Sequence, residues 1–208
     1  MSYQQRRRFL WALFLLGLAL IAVVAHATTL VRLRFPDLVR YSSAIGRLRC
    51  TGSEVHYDKG EIWTDTACEV VEREKGYLPS HIVVRQPGGT LDHLHSHVEG
   101  APEFTPGEEL ILFLWGSPGK PYTVLGWSQG TFRIRKDDRS GSETITQDSS
   151  EIPVFDPESN GFTKAGIRNV RIEAFKEVMH REINRQLKQS VVRSPDEHCY
   201  AYASTNRN

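Results

Sequence analysis

Charge of one sign is what this chain lacks most plainly, with 26 lysines and arginines against 25 aspartates and glutamates. A protein that holds nucleic acid draws most of its non-specific affinity from neutralising phosphates, so a balanced chain is excluded from that class. The chain also lacks internal repeats and a second domain-sized apolar block, which leaves one domain with a real core. His-Glu-x-x-His is absent, and with it the helix-borne zinc site of that motif. Ser128, in Gly126-Trp127-Ser128-Gln129-Gly130, has the wrong context for a nucleophile. No catalytic constellation emerges, which leans the reading away from an enzyme and leaves a metal-dependent one as the alternative.

Long hydrophobic runs are scarce too, and the exception lies at the start. Arg6-Arg7-Arg8 leads into an apolar run from Phe9 to Ala25 that ends in Ala25-His26-Ala27. A positive start, an apolar middle and a small-x-small exit make an export signal over residues 1–27, cleaved after Ala27. The run spans about 25 Å as a helix at about 1.5 Å per residue, short of a hydrocarbon core of about 30 Å. Cleavage is the expected outcome, and retention as a membrane anchor is the alternative. No cysteine follows the run, so lipid attachment there is excluded. Removing residues 1–27 takes away three arginines and no acid, leaving a periplasmic or secreted protein slightly to the negative side of neutral.

Beyond the signal, residues 28–189 read as one domain and residues 190–208 as a flexible tail. Residues 45–57 and 61–74 are rich in β-branched and aromatic side chains and flank Asp58-Lys59-Gly60, which predicts a long hairpin. Short strands follow at 81–85, 109–115, 122–127 and 130–135. The run Glu109 to Trp115 is apolar throughout, as in a strand buried on both faces. Residues 90–108 read as a surface loop and 136–164 as a mobile excursion. Ile172, Phe175, Val178, Met179, Ile183 and Leu187 fall at helical spacing, predicting an amphipathic helix. The expected fold is mainly β: a small antiparallel, OB-like barrel of five or six strands, with one C-terminal helix over an open end.

Two groups carry candidate chemistry. If the hairpin is centred on Lys59, Cys50 and Cys68 face each other across it, within reach of a disulfide in an oxidising compartment. The alternative is two buried thiols, and a bulge near Gly52 would separate them. Cys199 is left over in the tail. His93, His95 and His97 alternate along one segment with Asp92 and Glu99 nearby, a pattern suited to zinc or copper; adventitious surface histidines are the competing reading. Trp63 and Trp127 are expected to serve hairpin or core packing, with a binding platform as the alternative. His180 and Glu182 are expected on the solvated face of the helix, and Glu69, Glu72 and Glu74 in water.

Spaced residues between about 38 and 135 add a resemblance. Thr64-Asp65, Lys75-Gly76, Val83 through Pro87-Gly88-Gly89, Gly100-x-Pro102-x-Phe104, Gly107-Glu108, Leu112-Phe113-Leu114, and Gly126 with Gln129-Gly130-x-Phe132 resemble a family of exported bacterial proteins of unknown function. That family is distantly similar to the OB-like barrel of tissue inhibitors of metalloproteinases and netrin-type modules. The resemblance implies an envelope-side binding or inhibitory module, with a protein partner and a protease among the targets. It supplies no catalytic residues. Those inhibitors chelate zinc through an N-terminal cysteine, whereas cleavage here leaves Thr28. On this reading the loop from Thr90 to Glu108 is the contact surface, and a metal-handling protein or metal-dependent enzyme using His93, His95 and His97 is the alternative.

Overall fold

The computed structural model describes residues 30–164 and 166–193. The expected signal and its exit residues Ala25 and Ala27 lie outside them, as do Cys199 and residues 194–208. Among the described residues no helix is long and apolar enough to cross a membrane.

A short helix α1 (Phe35–Tyr41), entered through Pro36 in its first turn, precedes the long hairpin of β1 (Ala44–Asp58) and β2 (Glu61–Lys75). Lys59 and Gly60 both have positive φ, 52° and 94°, the backbone of a tight two-residue hairpin turn. Then come β3 (His81–Pro87), the small hairpin β4 (Gly89–Leu91) and β5 (Leu94–Ser96), β6 (Glu109–Trp115), β7 (Thr123–Val124) and β8 (Thr131–Lys136). The region expected to be a mobile excursion supplies β9 (Glu143–Gln147) and the hairpin β10 (Val154–Asp156) and β11 (Gly161–Thr163). β12 (Val170–Arg171) leads into α2 (Ile172–Arg193).

The main sheet is antiparallel, in the order β12-β9-β8-β6-β1-β2-β3, with β7 paired to β6. The mainly-β expectation holds, but the closed barrel is corrected to an open, curled sheet. Its edge strand β3 is drawn back by one isolated parallel bridge, Val84 to Tyr122, with Tyr122 N–H on the Val83 carbonyl at 2.8 Å and Arg85 N–H on the Tyr122 carbonyl at 2.7 Å.

Leu110 to Leu114 of β6 are fully buried in succession, and the pleat sends alternate side chains to opposite faces. Leu110, Leu112 and Leu114 join Leu48, Cys50, Cys68 and Val84 inside the curl. Ile111 and Phe113 join Phe132, Ile145 and the two helices on the other face. Phe35, Phe113, Phe132 and Phe175 form a chain of ring contacts with centroids 4.9 to 5.9 Å apart. The helix therefore covers a face of the sheet, not an open end. Ile172, Phe175, Met179 and Ile183 are buried as the periodicity predicts, while Val178 and Leu187 are 49% and 58% exposed.

Candidate functional site

Beyond Cys50, β1 leaves β6 and pairs with β2 alone, so the hairpin projects as an arm. On β2, Trp63 and Asp65 are two residues apart and share a face. Across the ladder β3 sets Pro87 opposite Trp63 and Arg85 opposite Asp65. Arg85 donates from Nε to Asp65 Oδ1 at 2.7 Å and from Nη2 to Oδ2 at 2.6 Å. That bidentate bond to Asp65 outweighs partial burial and raises the guanidinium pKa further above its ordinary value.

Pro87-Gly88-Gly89 then reverses the chain, with Gly88 at φ 97° and Gly89 at φ 135°. A side chain at Gly88 would strike the Ser96 carbonyl at 2.8 Å, and one at Gly89 would strike Thr64 Oγ1 at 2.6 Å, so only glycine lets β4 and β5 fold back against the arm. The turn before β8 brings Trp127 to the same place. Between them lies a cleft of about 710 Å³, walled by Trp63, Trp127, Tyr57 and Leu94, with Arg85 and His95 among its polar groups. This size and mixture suit a ligand pocket. Neither tryptophan belongs to either buried core; the two indoles wall this cavity, with Trp63 in the hairpin ladder opposite His56.

Trp127 sits at φ 52° directly after Gly126 at φ 64°. A bulky residue in the left-handed region is strained, and such residues cluster where a side chain must be presented. The turn is over-determined: the Trp127 carbonyl accepts from Gly130 N–H and from Thr131 Oγ1, each at 3.0 Å, and Ser128 N–H donates to the Gly100 carbonyl at 3.0 Å. Gly126-Trp127-Ser128-Gln129-Gly130 carries the letters of a nucleophile elbow, but Ser128 is 1% exposed and its hydroxyl has no hydrogen-bond partner among the described residues.

The histidines are spread over the small hairpin and the chain after it. His93 occupies the Asp92-His93 turn, His95 Nδ1 shares a 2.9 Å hydrogen bond with Thr90 Oγ1, and His97 lies 3.5 Å from Glu99 and 3.8 Å from Glu103. All three are exposed, and among the described residues no group of three or more histidine, cysteine, aspartate or glutamate side chains is placed to hold a metal. The expected zinc or copper ligands therefore do not converge.

Cys50 and Cys68 are directly opposed, as expected, but by a different route. From the turn to Gly52 each pair is shifted by one from the expected register, Asp58 facing Glu61; a bulge between Cys50 and Gly52 then restores the cysteine pairing. Cys50 exchanges its backbone bonds with Gly107 and Glu108 instead of β2, so its pairing with Cys68 is of the closer, non-hydrogen-bonded kind. The disulfide expectation is corrected nonetheless: both are free thiols, with sulfurs 3.8 Å apart against about 2.0 Å for a bond. Contact with Cys50 and burial push the Cys68 thiol pKa up, the state of an inert core cysteine.

Glu74, expected in water, is buried beneath α2, with His180 Nε2 at 2.5 Å and Lys176 Nζ at 3.1 Å. His180 thus serves helix docking. Both tryptophans were visible in the sequence; their convergence was not, because it depends on the glycine reversal and on the Gly126 turn. No family model, curated protein or solved structure matches this chain.

Proposed function

We propose that this chain is an exported, non-enzymatic binding module that recognises a protein partner at the cell envelope, with a protease among the candidate targets. The observation that supports the reading is the cleft: two half-buried indoles, one on a strained backbone, stand around about 710 Å³, and the Thr90 to Glu108 loop supplies the opposing wall through Leu94 and His95. Aromatic side chains held rigidly in a concave site are the usual anchors of recognition. Zinc chelation by the chain terminus is not the mode proposed, because export leaves Thr28 there.

The test is capture from an envelope fraction with the tagged full chain. Leu94 is 45% exposed on β5 and Phe162 is 67% exposed on β11, away from the cleft. Leu94→Glu is expected to abolish capture of a discrete protein and Phe162→Glu to preserve it. Capture that survives Leu94→Glu unchanged would refute the cleft as the contact surface.

A further inference from the structure

We propose that the cleft takes an extended, proline-containing segment of a protein partner, an inference that rests on the binding-module reading and specifies its ligand. The walls are flat rings: Trp63, Trp127 and Tyr57, with Leu94 at the edge. Aromatic-lined grooves of this kind suit the preformed polyproline conformation, whose rings stack on them and whose ordering costs little entropy.

The polar inventory narrows the class further. Arg85 spends Nε and Nη2 on Asp65, which leaves its Nη1 without a partner among the described residues, and the indole N–H groups of Trp63 and Trp127 are likewise unpaired there. An indole nitrogen and a guanidinium are donors only. Two acceptors nearby are engaged, the Asp65 carboxylate with Arg85 and His95 Nδ1 with Thr90, while the Tyr57 and Ser96 hydroxyls and His95 Nε2 line the cleft as groups able to donate or accept. Glu61 at the hairpin tip is the carboxylate left lining the cleft. A ligand that fits presents carbonyl oxygens and few N–H groups, which is what proline does to a peptide, since each proline keeps its C=O and loses its N–H. A saccharide brings a donor with every hydroxyl and matches such a site less well. A nucleic acid strand requires a basic track, and the cleft's arginine is already neutralised by Asp65.

The probes are a blocked peptide of repeated Pro-Pro-Leu and its counterpart with every proline replaced by alanine, titrated into the full chain by calorimetry with tryptophan fluorescence as a second readout. The proline peptide is expected to bind at least about tenfold more tightly than the alanine peptide, and Leu94→Glu and Trp63→Ala each to weaken it by about tenfold or more, the range of an interface anchor. Phe162→Glu is expected to leave binding unchanged. Leu94→Glu alters an exposed position, so its circular dichroism and melting should match the parent and keep the test independent of folding. Equal affinity for the two peptides, or proline-peptide binding indifferent to Leu94→Glu, overturns the inference. So does a peptidoglycan-derived oligosaccharide that binds with the same variant sensitivity while the peptide does not. If the peptides fail while envelope capture still depends on Leu94, the proline inference falls and the binding-module reading stands. If the proline peptide binds in the cleft but capture ignores Leu94→Glu, the captured partner's surface is elsewhere and the proposed function falls as regards the cleft.

Discussion

Trp127 concentrates the residue-scale physics of this protein. Its φ of 52° costs any L-residue with a Cβ roughly 1–2 kcal/mol, yet the turn holds it there and presents the ring to the cleft. Replacing the ring with alanine removes the wall and keeps the backbone penalty, whereas glycine removes both. Trp127→Gly is therefore expected to be more stable than Trp127→Ala by about 1 kcal/mol. Chemical denaturation of the two variants measures the difference, and an alanine variant as stable as the glycine one would show that the backbone is not strained there. Both variants should lose cleft binding alike, which separates presentation of the ring from stability.

At the scale of elements, the strands and helices are joined by charged clusters as well as by apolar faces. Arg47 of β1 bonds Glu143 of β9 at 2.8 Å through both terminal nitrogens and Glu109 of β6 at 2.7 Å through Nε. At Glu109 burial alone would raise the carboxyl pKa, but hydrogen bonds from Arg49 and Arg47 more than offset it; at Glu143 the Arg47 bond lowers the pKa directly. Groups held below their unfolded pKa of about 4.3 contribute stability that is present above that value and lost as pH falls through the folded values. Asp148, raised by burial despite Arg133, acts in the opposite sense, losing stability as pH rises through its folded value. Arg47→Met should therefore flatten the decline in urea midpoint between about pH 5 and pH 3; an unchanged slope would remove the cluster from the acid response. Lys75 holds α1 in a related way, its Nζ on the carbonyls of Val39 at 2.5 Å and Ser42 at 2.7 Å, where a cation complements a helix C-terminus.

Over the whole molecule, the open sheet makes stability uneven. β6 is paired on both sides and buried on both faces, whereas the curl is drawn together by the short Val84 to Tyr122 seam. Hydrogen exchange is expected to be slowest in Leu110 to Leu114, where opening requires global unfolding, and clearly faster at the amides of Tyr122 and Arg85, which a local parting of the seam exposes. Equal protection would indicate that the seam opens only with the core. The cleft sits at the end of the arm beyond that seam, so its two tryptophan walls come from elements joined by few main-chain bonds.

The mainly-β class, the long hairpin, the doubly buried strand from Glu109 to Trp115 and the helix face through Ile172, Phe175, Met179 and Ile183 were legible in the sequence, because each rests on local periodicity and turn chemistry. β9 was not legible, since Glu143 to Gln147 has one apolar residue, Ile145, and becomes a strand only beside β8. Neither was α1, a short segment whose burial of Leu38 and Val39 depends on the sheet and α2. The facing of Cys50 and Cys68 came from an assumed turn centre, and it holds because a bulge offsets the true one. By itself the sequence determined the long hairpin, the apolar run of β6 and the apolar face of α2, because local alternation, turn chemistry and helical spacing encode them. The tertiary structure decided that Trp63 and Trp127 share a cleft, that the histidines stay apart and that Glu74 is buried, because each depends on distances between segments remote in the chain, which periodicity does not encode.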